Sequence, residues 1–143
     1  MTLTTTLLQD HACDLAVAFD IRLILDKRLR PEEALALPHL RVVIATTITE
    51  ETTYAVVLHE FGHLVAALGA VRTPRDPRNA NLMRVEEDAA WAWARHYALD
   101  WTPTMEAVAT YARSTYDDAV ATQTAPPAAP VAPRPSIDWS KWK

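Results

Sequence analysis

The stretch VVLHEFGHLVAAL, residues 56–68, places two histidines, a glutamate and a glycine inside a run that is otherwise apolar. Val56, Val57, Leu58, Phe61, Leu64, Val65 and Leu68 surround the polar positions, so the segment reads as a helix buried on most of its sides. A buried helix must give its polar side chains partners, because an uncompensated imidazole or carboxylate in a core is costly. His59 and His63 stand four residues apart, a spacing that sends two side chains from one helical face about one turn apart. Two imidazoles so placed can share one cation. Glu60 projects from the neighbouring arc, where its carboxylate can reach a water beside that cation without taking a coordination position. H-E-x-x-H in this setting is expected to hold one Zn²⁺, with Glu60 as general base for hydrolysis at neutral pH.

Gly62 adds to this reading, since the chain of 143 residues has only two glycines. A glycine inside a helix costs about 1 kcal/mol relative to alanine. The expected return is room for another backbone to come close.

Composition narrows the alternatives. A chain of this length with 50% hydrophobic residues can bury the core of one domain. A formal net charge of −4 and the lack of a Lys/Arg run argue against direct nucleic-acid binding. Cys13 is the single cysteine, so neither a disulfide framework nor a thiolate zinc site can form, and any metal must sit on histidine and carboxylate. The first residues, MTLTTTLLQDHACD, lack the basic and apolar regions of a signal peptide, and no segment approaches the ~20 apolar residues of a membrane span. A cytoplasmic protein with no membrane partner is expected.

Outward from the motif helix, the pattern predicts an α+β domain over residues 1–121, a small β-sheet packed against a helix bundle. Leu7, Leu8, Ala12, Leu15, Ala16 and Phe19 recur at helical steps. Residues 21–25 (IRLIL) and 40–46 (LRVVIAT) read as strands. Between them RPEEALAL puts Pro31 at a first helical position followed by acids, which predicts a short helix. The motif helix is expected to start at a Thr49 cap and to end at Gly69. Residues 70–81, with two prolines and two asparagines, predict a loop; residues 82–99 and 104–120 predict two further helices. From residue 122 the chain turns proline- and alanine-rich, with half of its ten prolines, and predicts an unpacked tail tipped by Trp139 and Trp142.

A catalytic zinc normally takes three protein ligands and leaves one position open. His11, His39 and His96 are the remaining histidines, but Glu86, Glu87 and Asp88 open the helix after the loop and are the better source. Asp88 shares its face with Arg84 and Arg95 and reads as solvated and ion-paired. Glu86 lies nearest the middle of the apolar face with Ala90, Trp93 and Tyr97, and Glu87 lies at its edge beside Ala90 and Ala94. Periodicity slightly favours Glu86 and leaves both open.

His59-Glu60-Phe61-Gly62-His63 followed by EEDAAWAWARHYAL resembles the ImmA/IrrE type of small zinc peptidase, a gluzincin-like family. Its pattern is HE[ILF]GH and then, after a loop, E-x-x-A-x-x-aromatic-A. Glu87, Ala90, Trp93 and Ala94 fall on the second element without gaps. The resemblance spans roughly residues 7–99 and implies a minimal zincin-like fold, zinc ligands His59, His63 and Glu87, and Glu60 as catalytic base. It further implies a protein or peptide substrate, among them regulatory proteins of the repressor type. The chain departs from the family at YALDWTP, where a Leu-Leu-x-Pro end is common, and the added DNA-binding or sensory domain that many members carry is not expected from these residues.

Other residues read more plainly. Tyr97 and His96 could donate to a developing oxyanion, but a core role for Tyr97 and an exposed one for His96 are the simpler assignments. Trp91, Trp93 and Trp101 are expected in the core. The function expected is zinc-dependent peptide hydrolysis. The rival is a non-catalytic metal-binding interaction protein whose Trp-tipped tail engages a partner protein.

Overall fold

The computed structural model describes residues 3–66 and 80–124. The expected Gly69 cap, most of the expected 70–81 loop, and the tail from residue 125 with Trp139 and Trp142 lie outside them. Among the described residues the fold is α+β, with four α-helices and a three-stranded mixed sheet.

Helix α1 spans Thr5–Ala18, with the Thr4 hydroxyl accepting from the Leu7 N–H. Strand β1 (Arg22–Leu25) pairs in parallel with β3 (Val42–Ala45), and β2 (Ala34–Leu37) pairs antiparallel on the other side of β3. The sheet order is therefore β1-β3-β2, with β2 at an edge. β3 is buried along its whole length, which its β-branched run VVIA suits. Helix α2 covers Glu51–Val65, α3 Ala80–Tyr97 and α4 Pro103–Thr124. α2 is the hub, packing on the other three helices, β2 and β3.

The expected short helix after Pro31 is not there. Residues 31–32 form a turn, closed by the Glu33 N–H donating to the Arg30 carbonyl, and ALAL continues as strand β2. A helix of two turns is marginal alone, whereas the same four residues gain a complete register opposite Val42–Ala45. The β2–β3 connection is a 3₁₀ turn, Pro38–Leu40, ending at Arg41 in the left-handed region (φ 52°). Arg41 also donates to the Phe19 and Asp20 carbonyls, capping the C-terminal end of α1. The N-cap of α2 is Glu50 rather than Thr49, whose carbonyl instead accepts from the Thr5 hydroxyl. α3 begins two residues earlier than periodicity indicated, and α4 runs three residues past the expected domain limit at 121. At the start of α4 the Thr102 hydroxyl accepts from the Met105 N–H and donates to Glu51 of α2.

One core cluster joins Leu8, Ala12 and Leu15 of α1, Val43 and Ala45 of β3, Tyr54, Val57, Leu58 and Phe61 of α2, Trp91, Trp93 and Ala94 of α3, and Met105 of α4. Within it the Tyr54 hydroxyl ties three elements together. It pairs with His11 Nδ1 at 2.7 Å and accepts from the Leu99 N–H at 3.0 Å. Burial raises the Tyr54 phenol to about 12 against the Leu99 hydrogen bond, so the hydroxyl keeps its proton near neutral pH. Burial also lowers the His11 imidazole below its ordinary value, against the opposing charge of Asp14, which favours the neutral ring.

Two outcomes follow. Tyr54→Phe strands His11 Nδ1 and the Leu99 N–H and should cost about 1–3 kcal/mol in urea unfolding. Because the unfolded chain binds more protons at His11 than the folded one, this site weakens the fold as pH falls below about 6.5. His11→Gln should therefore lose less stability than the parent protein between about pH 7 and pH 5; parallel curves would show that the imidazole is not coupled to folding.

Candidate metal centre

The local sequence of α2 places its three chemical side chains on adjacent arcs, and the packing of α3 brings a fourth. Apart from the helix's own backbone, a Cβ built on Gly62 would meet the Ala90 carbonyl oxygen at 2.5 Å and its Cα at 2.8 Å. The two helix backbones are thus in contact, with no space for a methyl group between them. Gly62 lies between His59 and His63, and Ala90 lies one helical turn after Glu87. Close approach at that one point carries the Glu87 carboxylate to the histidine face.

The geometry that results is compact. His59 Nε2 lies 3.0 Å from Glu87 Oε2, and His63 Nε2 lies 2.8 Å from Glu87 Oε1. The two Nε2 atoms are 2.9 Å apart. Donors on a tetrahedral zinc with bonds of 2.0–2.2 Å stand about 3.4 Å from one another. A few tenths of an ångström of side-chain movement would bring these three to that spacing, so two imidazoles and a carboxylate fit a zinc ion in number, type and position. Donor atoms of His59, Glu60 and His63 also lie within 4.8 Å of one another, a second grouping able to hold an ion. Glu60, however, lies beside the Ala36 N–H of β2, whereas Glu87 already bridges both imidazoles. Glu87 is the better third donor.

The carboxyl groups differ in their electrostatics. Burial raises Glu60, with the Glu87 charge acting in the same sense; His59, His63 and the Ala36 N–H oppose it without reversing it. Burial also acts to raise Glu87, but hydrogen bonds and charge from His59 and His63 overcome it and hold Glu87 at about 2. His63 is raised above its ordinary value: burial lowers it, and the Glu87 hydrogen bond with the charges of Glu60, Glu87 and Glu86 prevails. Two neighbouring carboxyl groups are thereby pushed apart in proton affinity.

The remaining candidates take other places. Glu86 lies outside the bridging position, with Oε1 at 3.7 Å from His63 Nδ1. Asp88 is ion-paired as the helical face indicated, but with Arg113 of α4; Arg84 and Arg95 pair with Asp117 and Glu106. His11 serves Tyr54. His39 lines a shallow concavity of about 610 Å³ with Val17, Asp20, Arg22 and Arg41, which shares no residue with the histidine site. Tyr97 packs against Phe19 and Trp93, and His96 is exposed beside it. Neither is directed to the site by any contact.

Two participants carried no functional signal in the sequence. Trp91, read only as core, stacks on the His59 ring with centroids 4.0 Å apart and planes 23° from parallel. Its position one turn after Glu87 is the signal that could have found it. The Ala36 N–H could not have been found, because it is a backbone group on a strand that periodicity misassigned. Comparison with protein-family models, curated proteins and solved structures found no match.

Gly62→Ala tests the close approach. Helix propensity alone would make it stabilising by about 1 kcal/mol. The clash with the Ala90 backbone should instead make it destabilising by about 1–3 kcal/mol in urea unfolding. A neutral or stabilised variant would show that α2 and α3 do not need this contact.

Proposed function

We propose that the protein is a zinc-dependent metallopeptidase, with His59, His63 and Glu87 as metal ligands and Glu60 as the catalytic base. The observation that carries the reading is the convergence of two Nε2 atoms and one carboxylate within 3.0 Å, with a second, differently tuned carboxyl group alongside. The resemblance of HEFGH and E-x-x-A-x-x-W-A to the ImmA/IrrE peptidases supports the same assignment, including Glu87 over Glu86.

When bound, Zn²⁺ supplies Lewis acidity, polarising a carbonyl and lowering the pKa of a water to about 7. The chain's own groups do the rest. Glu60 takes a proton from the attacking water and returns it to the leaving amine. Its burial suits it to both halves of that exchange, since a raised carboxyl group accepts and releases a proton more readily near neutral pH. Glu87 stays ionised and holds both imidazoles with their Nε2 atoms turned to one point. Trp91 covers one face of the His59 ring and excludes water there.

Strand β2 makes a peptide the favoured substrate. It is an edge strand of the sheet and passes beside Glu60, so an extended chain pairing along it would lie near the base. A regulatory protein of the repressor type is the substrate class that the family resemblance adds.

Purified protein should carry about one zinc per chain by elemental analysis. Glu60→Gln should retain that zinc and cleave a quenched-fluorescence peptide library about 10²–10⁴-fold more slowly. Native protein that binds no zinc, or a Glu60→Gln variant as active as the parent, would overturn the proposal.

A further inference from the structure

Glu86 sits next to the proposed ligand Glu87 yet faces a different atom of the same ring. Glu87 approaches His63 at Nε2, at 2.8 Å, and Glu86 approaches it at Nδ1, at 3.7 Å. The two nitrogens flank one ring carbon and point in divergent directions, so successive residues of α3 hold one ring between two carboxylates. An imidazole that gives Nε2 to a metal carries its proton on Nδ1, and that N–H needs an acceptor to hold the ring in place. We propose that Glu86 is the positioning residue for His63, its carboxylate fixing the Nδ1–H tautomer and aiming Nε2 at the metal. The inference rests on the metal-centre reading given above.

The two histidines differ in a way that makes this role specific. His59 is buried, its Nδ1 has no hydrogen-bond partner among the described residues, and Trp91 holds its ring by stacking. His59 is thus placed by packing. His63 lies near the C-terminal end of α2, which stops at Val65, and its side chain is more exposed, at 16% against 9%. No aromatic ring of α3 stacks on it among the described residues. Of the described groups, Glu86 is the one that stands at its Nδ1. The separation of 3.7 Å is longer than a hydrogen bond, and a small rotation of Glu86 or one bridging water closes it. Glu86 is itself 23% exposed on its side chain, so it has freedom to make that adjustment. Adjacent glutamates are also needed for this arrangement: α3 crosses His63 where side chains about 100° apart approach its two nitrogens.

The test is zinc affinity of the full chain, measured by competition with a chromophoric chelator. Glu86→Ala should weaken zinc binding about 10–100-fold, and Glu86→Gln, which keeps an acceptor without the charge, should recover part of that loss. Glu87→Ala should lose far more than either. Thermal unfolding of the zinc-free forms should be the same for the parent and both Glu86 variants, which separates positioning from a general packing role. In the zinc-loaded parent, ¹⁵N shifts should show His63 protonated at Nδ1, and this signal should broaden or shift in Glu86→Ala. Unchanged affinity in Glu86→Ala overturns the positioning role while leaving the metal centre intact. A loss as complete as that of Glu87→Ala overturns it too, by making Glu86 a ligand. A parent protein that binds no zinc removes both the metal centre and this inference.

Discussion

The contact between the Gly62 position of α2 and the Ala90 backbone of α3 governs the rest of the site. A Cβ at residue 62 would stand 2.5 Å from a carbonyl oxygen, a separation that real structures do not tolerate, so the interhelical distance is set by the absence of one methyl group. Everything chemical is arranged around that point. His59 and His63 flank Gly62 on one helix, Glu87 and Trp91 flank Ala90 on the other, and their side chains meet because the backbones do. The helix-propensity cost of a glycine in mid-helix is small beside what the close approach arranges: a carboxylate from another element within 3.0 Å of two imidazoles.

The surrounding core holds this contact from several directions. Phe61 and Trp93 meet edge to face beside it, and Phe19, just after α1, packs on Trp93 and Tyr97 in the same manner. At the far end, the Tyr54 hydroxyl links α1, α2 and the chain just beyond α3, while Thr102 and Glu51 link α4 to α2. These polar bonds are concentrated near the N-terminal end of α2, where helices must keep their relative positions, and the histidine face lies further along the same helix. The sheet contributes on the remaining side, where β2 brings a backbone N–H beside Glu60.

Much of the fold was legible because its signals are local. Helical patterning found α1, α2, α3 and α4, apolar–polar alternation found β1 and β-branched composition found β3, with boundaries displaced by a few residues. β2 escaped because its evidence is not local. Pro31 followed by two glutamates has the chemistry of a helix start, and ALAL has little intrinsic strand preference; pairing with β3 outweighed both. The start of α2 was misread by one residue, since Thr49 has the chemistry of a cap but its neighbour Glu50 occupies that position.

The candidate site divides along the same line. His59, Glu60 and His63 share one region of α2 through helical geometry alone, so the spacing H-E-x-x-H was enough to group them, and the scarcity of glycine was enough to mark Gly62. Which acid joins them was beyond the reach of periodicity, because Glu86 and Glu87 are both compatible with an amphipathic α3. The choice is made by the angle and depth at which α3 crosses α2, which turns Glu87 between the two Nε2 atoms and leaves Glu86 on the outer side of His63. The same crossing lays Trp91 on His59, and the strand pairing of β2 brings Ala36 to Glu60. Residues along one helix are placed by its own hydrogen bonds, whatever surrounds it; residues on two elements are placed by how their surfaces pack, and that is decided only when the whole core closes.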